Sequence, residues 1–229
     1  MMQESSLKKK ESFLKRLWIF IIKLHLWFFG IIFVLILAYN FINPPITTLM
    51  IQRKIIRGYP VKMVKFVPLE KIPKKTYSML VNLEDGHFSK HWGFEIEQIK
   101  HAYKVNMRRH KIRLGGSTIT NQVARTLFLT TDRNYFRKYL EFWISLELEL
   151  LMPKHRILEL YLNYIEWGKG IFGIEQASLH YYGKSVTKLN REQSIRLVTI
   201  VPNPIKYNVK NFSKNRIMRH RYAILEAYY

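Results

Sequence analysis

Cysteine is absent from this chain, which excludes disulfides and thiolate metal sites. Acidic residues are scarce: 16 Asp and Glu stand against 38 Lys and Arg, a net charge of +22 in 229 residues. Such an excess calls for an anionic partner: nucleic acid, an acidic membrane surface or a phosphorylated substrate. No finger, RNP aromatic motif or basic-plus-heptad pattern supports the first, so no nucleic-acid partner is expected. H-E-x-x-H, a Walker loop and a Rossmann fingerprint are all missing, and the eight histidines lack ligand spacing. S-x-x-K occurs at Ser6, Ser12 and Ser185, but without a following K-T-G there is no penicillin-binding acyl site.

One stretch lacks charge altogether. Residues 24–43, "LHLWFFGIIFVLILAYNFIN", form about one bilayer-spanning length, with His25 the one titratable group. The cluster Lys8, Lys9, Lys10, Lys15, Arg16 and Lys23 precedes it. That order predicts a cytoplasmic tail over 1–23, a single-pass anchor over 24–43 and a domain outside the cytoplasm over 44–229. "LAYNFINPP" offers no small-x-small cleavage site, so the anchor is expected to stay. Pro44 and Pro45 stop the helix. An anchored basic domain suits lipid headgroups or a lipid-linked phosphate. The core-forming helices are all expected after residue 43.

Residues 44–75 read as a connector in which "PVKMVKFVPL" (60–69) predicts a short strand. Beyond residue 76 the chain reads as one α-rich domain. Ile119, Val123 and Leu127 share a face, as do Phe136, Leu140, Trp143, Ile144, Leu148 and Leu151. Asn190 with Gln193 predicts a capping box on a helix ending near Pro202. Ser213 is the expected cap of a last helix whose apolar positions are Ile217, Ile224, Leu225 and Tyr228.

Four segments carry chemistry. In "LVNLEDGHFSKHWGFE" (81–96), Glu84 and Asp85 lie side by side, followed by Phe88, His91 and Gly93. In "RLGGSTITNQVARTLFL" (113–129), Gly115 and Gly116 allow unusual backbone, and Ser117 and Thr118 can cap a helix whose N-terminus attracts anions. Gln122 and Arg125 lie on one side of that helix, with Arg133 following; a solvated loop and a phosphate site are both open readings. Arg137, Lys138 and Glu141 have the spacing of an ordinary surface ion-pair set. "KHRILELYLNYIEWGKGIFGIEQAS" (154–178) is read as architectural, with Glu159 and Asn163 four apart as a hydrogen-bonded pair.

Taken in order these segments resemble the family 51 glycosyltransferases. EDGHFSKHWG fits E-D-x-x-F-x-x-H-x-G, and GGSTITNQ fits G-G-S-T-I-x-Q-Q except at Asn121. RKYLE fits R-K-x-x-E, KHRILELYLN fits K-x-x-I-L-E-x-Y-L-N, and "VPNPIKYN" (201–208) and "NPPITTLMIQR" (43–53) resemble further signatures. The likeness is to the monofunctional peptidoglycan glycosyltransferases. It implies a mainly α, lysozyme-like domain that joins a lipid-diphosphate-linked glycan to lipid II by β-1,4 bonds, with inversion and release of undecaprenyl diphosphate. It implies Glu84 as general base, made more basic by burial beside Phe88 and next to Asp85, which would hold the backbone or orient Glu84. Glu141 matches a second essential acid near the diphosphate or its metal, a divalent cation such as Mg or Mn. Arg125, Arg133, Arg137 and Lys138 would meet the diphosphate, and Ser117, Thr118 and Gln122 would line the cleft. Expected partners are lipid II, the lipid-linked glycan, the inner membrane and a cell-wall synthesis complex. An inactive lipid II-binding scaffold and a lysozyme-like hydrolase are the alternatives; the second needs an acid for its leaving oxygen.

Overall fold

The computed structural model describes residues 2–108, 116–132, 134–211 and 215–229. These residues form ten α-helices and one small antiparallel hairpin, the mainly α class expected from the sequence. In order they are α1 (Met2–Tyr39), α2 (Thr48–Ile55), α3 (Lys74–Asp85), α4 (Ile96–Arg108), α5 (Ile119–Phe128), α6 (Tyr135–Leu151) and α7 (Lys154–Tyr164). Then come β1 (Glu166–Gly168), β2 (Ile171–Phe172), α8 (Ile174–Tyr182), α9 (Arg191–Thr199) and α10 (Arg216–Tyr228).

The short helix α5 is the hub, touched by α2, α3, α6 and α7. Its apolar residues recur every fourth position, so Ile119, Val123 and Leu127 form one stripe, and all three are buried. Ile144 and Leu148 of α6 and Ile157, Leu160 and Tyr161 of α7 close over that stripe. Each such side chain contributes about 1.5–3 kcal/mol by leaving water. Thr118 starts the helix: its hydroxyl accepts from Asn121 N at 3.2 Å and donates to Gly93 O at 2.6 Å. Pro153 separates α6 from α7, since it has no N–H to extend the first. The capping box of Asn190 and Gln193 forms as expected and opens α9.

Four expectations need correction. Residues 60–68 make no strand, and Leu69 opens a short 3-10 turn. Side chains of α7 take the place of a neighbouring strand: Asn163 accepts from Val67 N (2.8 Å) and donates to Val67 O (2.9 Å). Glu159 accepts from Leu69 N at 2.8 Å, so Glu159 and Asn163 both grip the connector, and Asn163 Nδ2 also donates to Glu159 O at 2.9 Å, the hydrogen-bonded pair expected from their spacing. The predicted α6 face splits, because Ile144 and Leu148 enter the core while Phe136 and Trp143 stay exposed. The inward side of α10 runs through Met218 and Leu225, leaving Ile217 and Tyr228 exposed. Its cap is Asn215, which accepts from Ile217 N and Met218 N; Ser213 lies outside the described residues.

The fourth correction concerns the anchor. Phe13–Tyr39 is a 27-residue stretch long and apolar enough to cross a membrane, and α1 carries it without a break. Its last turns also belong to the domain. Ile32 and Ile36 are buried in the main core, with Phe28, Phe29 and Tyr39 packed against it. Asn40 Nδ2 donates to Leu151 O at 3.0 Å. Arg156 donates to Tyr39 O, Ile42 O and Asn43 Oδ1, each at 2.9 Å. Core formation thus begins before residue 43. An apolar run predicts burial from water, and here part of its surface faces protein.

Candidate active site

Helix α3 ends in the paired acids, and the two have separate employment. Asp85 is almost fully buried. One oxygen accepts from Ile119 N at 2.9 Å and the other from His91 Nε2 at 2.8 Å. Ile119 is the first residue of α5, whose leading N–H groups have no partner within the helix. Asp85 therefore fixes the start of the hub helix against the end of α3, holding the local backbone. His91 is held in turn by Lys154, whose ammonium donates to His91 O at 2.7 Å and lies 4.4 Å from the centre of the Phe88 ring. Phe88 is core beside Lys154 and His91.

Glu84 points elsewhere. Its Oε1 is 2.6 Å from Arg221 Nη2, reaching across from α10. Its Oε2 accepts from Gln122 Nε2 at 3.4 Å, and Gln122 Oε1 accepts from Tyr161 O–H at 3.4 Å. In place of the apolar surround expected beside Phe88, the described partners of Glu84 are an arginine and an amide. Burial pushes the Tyr161 hydroxyl well above its ordinary range, with the charge of Glu84 adding, so it remains a proton donor to Gln122.

On α6 Glu141 is fully buried. Its oxygens meet Arg137 Nη1, one turn back, and Lys138 Nζ at 2.6 Å. Arg125 stands on α5 three residues past Gln122. Burial lowers its guanidinium from the ordinary value; Glu141 raises it, Arg137 lowers it, and Tyr161 and Glu84 raise it further. Its charge is thus felt by both acids, yet among the described residues no hydrogen bond or ion pair engages it. Arg133 lies outside the described residues, as does Gly115. At Gly116 a Cβ would stand 3.0–3.2 Å from Ile99, so that glycine serves a close approach to α4.

One cleft-lining expectation, Thr118, falls on scaffold, as does the motif departure Asn121. Thr118 is buried with its hydroxyl engaged twice. Asn121, where the motif has Gln, is buried and donates to Gly93 O at 3.1 Å and Ser145 Oγ at 2.8 Å. Ser145 passes the link to Glu141 O at 2.7 Å. Asn121 thus ties the Gly93 turn to the helix that carries the second acid. Ser117 is half-buried just before the cap.

A divalent cation does not fit Glu141 as arranged, since both of its oxygens already face cationic side chains. The one cluster of described residues with ligand atoms close together is Asp85, His91 and Glu95. There Asp85 is taken by Ile119 and His91, and Glu95 by His87 and Gln98. No step below runs through a metal.

Sequence reasoning missed Arg221, and the signal was its phase. Met218, Arg221 and Leu225 fall on one face of α10, and Arg221, four residues after Ile217 and four before Leu225, also lies within the apolar face expected from the sequence. Tyr161 was read as core, and its ring is buried; its hydroxyl reaches Gln122.

Two carboxylates stand on this helical scaffold, one paired with Arg221 and one gathering two cations, with the partly buried Arg125 guanidinium, unpaired among the described residues, whose charge both influence. The comparisons with known proteins supply the class. Residues 52–228 match the family model described as transglycosylase. A biosynthetic peptidoglycan transglycosylase of Pseudomonas putida (strain GB-1) is 40% identical over 187 residues, covering 80% of this chain and 79% of that protein. One of Nitrosospira multiformis is 38% identical over 197 residues, 81% of this chain and 86% of its own length. One of Pseudomonas fluorescens (strain Pf0-1) is 40% identical over 183 residues, covering 78% and 76%. The chain belongs to the transglycosylase family.

Proposed function

We propose that this protein is a peptidoglycan polymerase, extending a lipid-diphosphate-linked glycan with lipid II as acceptor. The observation that carries the reading is Arg125: a partly buried cation, felt by Glu84 and Glu141, with no partner among the described residues. An anionic ligand supplies what it lacks, and a diphosphate leaving group is such a ligand.

In this reading Glu84, paired with Arg221, takes the proton of the acceptor 4-hydroxyl. The oxygen then attacks the donor anomeric carbon, and the bond to the diphosphate breaks on the opposite face. The configuration inverts and undecaprenyl diphosphate leaves with the electron pair. Charge growing on that group meets Arg125, Arg137 and Lys138, with Glu141 holding the latter two in place. The apolar stretch of α1 serves as the anchor that keeps the enzyme beside its lipid substrate, the domain lying outside the cytoplasm.

The test is incubation of the purified full chain with lipid II and sizing of the product. Glu84→Gln keeps shape and removes the proton acceptor, so turnover should fall by about 10²–10⁴-fold in a folded protein. Near-normal polymer from that variant would overturn the mechanism. Solubilisation of finished cell wall in place of polymer would make the protein a hydrolase.

A further inference from the structure

A cavity of about 810 Å³ is not lined by Glu84, Glu141, Gln122, Arg125 or Arg221. It lies between the connector after α2, the β1–β2 hairpin, α8 and the segment after α9. Its charged lining is of one sign: Lys62 and Lys65 from the connector, Lys169 from the hairpin turn and Lys206 from "VPNPIKYN". No Asp or Glu contributes to the wall. Two acids near the hairpin and α8 are occupied. Glu166 is held by Arg53 at 2.8 Å, and Glu175 accepts from Val186 N at 2.9 Å and Ser185 Oγ at 3.1 Å. Among the described residues none of the four lysines has an ion pair.

The frame behind these lysines is fixed. Gln176 on α8 donates to Met63 O at 2.8 Å, fastening the connector, and Tyr181 O–H donates to Trp167 O at 3.0 Å, fastening the hairpin. Gly170 turns under the connector with φ +71°, where a Cβ would stand 3.2 Å from Pro60 O. Phe172, Tyr181 and Tyr207 line the space between the charges and offer flat apolar surface. Like charges held around one hollow repel each other, and a folded chain tolerates this best where a counter-anion binds. A single monoanion leaves most of the charge uncompensated. A diphosphate, with several acceptor oxygens, matches four ammonium groups.

We propose that this pocket is a second anion site, separate from the acid-bearing cleft, for a ligand carrying a diphosphate or paired phosphate groups. Inorganic pyrophosphate is the probe, titrated by calorimetry into the full chain in uncharged detergent at low salt. Two sites are expected in the unaltered protein. Lys169→Gln/Lys206→Gln should weaken one of them roughly tenfold or more, with melting and polymerisation rate unchanged. Arg137→Ala should weaken the other and leave the pocket site intact. Raising NaCl should weaken the pocket site steeply, because its lysines are exposed. The source of the phosphate is read by repeating the titration in lipid nanodiscs. Loss of pyrophosphate binding in discs of anionic lipid, but not in neutral ones, assigns the site to a headgroup; retention in both assigns it to a soluble ligand. A single site, abolished by Arg137→Ala and untouched by Lys169→Gln/Lys206→Gln, would overturn the proposal.

Discussion

Replacing Arg221 by Met removes the guanidinium that meets Glu84 while keeping an unbranched apolar stem. The two partners are 14% and 12% exposed, so their pair is largely desolvated. Breaking a fully buried pair costs about 3–5 kcal/mol, because one charge is left without compensation. A pair in open water is worth about 0–1 kcal/mol. Exposure this slight places Arg221→Met at about 2–3 kcal/mol, between those limits and nearer the buried one. For a chain of this size each kcal/mol moves Tm by about 2–4 °C, so the variant should melt some 4–12 °C lower. Glu84→Gln strands the opposite charge and should also destabilise, though less, since its amide oxygen still accepts from Arg221. The double variant strands neither, and should recover at least about 1 kcal/mol relative to the sum of the singles. Circular dichroism melts of the four proteins in one detergent measure that cycle. Polymerisation by Arg221→Met should fall roughly 10–100-fold through misplacement of Glu84, the scale that small positioning errors produce. A melt of Arg221→Met that overlays the unaltered protein, or strictly additive losses in the double, would refute the pairing.

Other perturbations follow from the same contacts. Glu147 on α6 has a buried oxygen without a partner among the described residues, and burial pushes its carboxyl up to about 7. Its folded value lies above the unfolded one, so stability is lost as pH rises from about 4.5 through about 7 and levels off above; Glu147→Gln should melt higher at pH 8, by about 1 kcal/mol after allowing for solvent screening, and like the unaltered protein near pH 4. Removing residues 1–43 should lower stability by about 3–6 kcal/mol, because Ile32 and Ile36 leave the core; a truncated domain melting with the full chain would contradict their burial. Asn121→Ala should cost about 1–3 kcal/mol by unpairing Ser145 and weakening the hold on Gly93. Denaturant titration checks it, and restoring the longer amide, Asn121→Gln, should recover only part of that loss, since the cavity is fitted to the shorter chain.

The helices were legible where apolar spacing was strict, as in the 119, 123, 127 stripe, because burying one face is the main force that shapes them. They were misread where one surface serves two neighbours. The outer side of α6 stands next to an anchor helix that is itself apolar, so hydrophobicity there did not report core position. The strand expected at 60–69 failed for a related reason: its backbone is satisfied by side chains from nearly a hundred residues later, and no local pattern records that.

The site shows the same division more sharply. Letters of a motif name residues that must be present, without saying whether they react or hold. Asp85, Thr118 and Asn121 sit among the motif residues, and each is buried, with the Asp85 carboxylate, the Thr118 hydroxyl and the Asn121 Nδ2 spent on backbone or on neighbouring helices. Glu84 and Arg125 belong to the same segments, yet Glu84 faces a partner 137 residues away and Arg125 faces none among those described. Sequence spacing within one segment could not supply either fact, since both depend on how α3, α5, α6 and α10 converge. What separates support from chemistry is whether a charged group's needs are already met by the fold. At Asp85 they are met in full, which makes it a brace. At Arg125 no described residue meets them, and that open need is what the proposed diphosphate would fill.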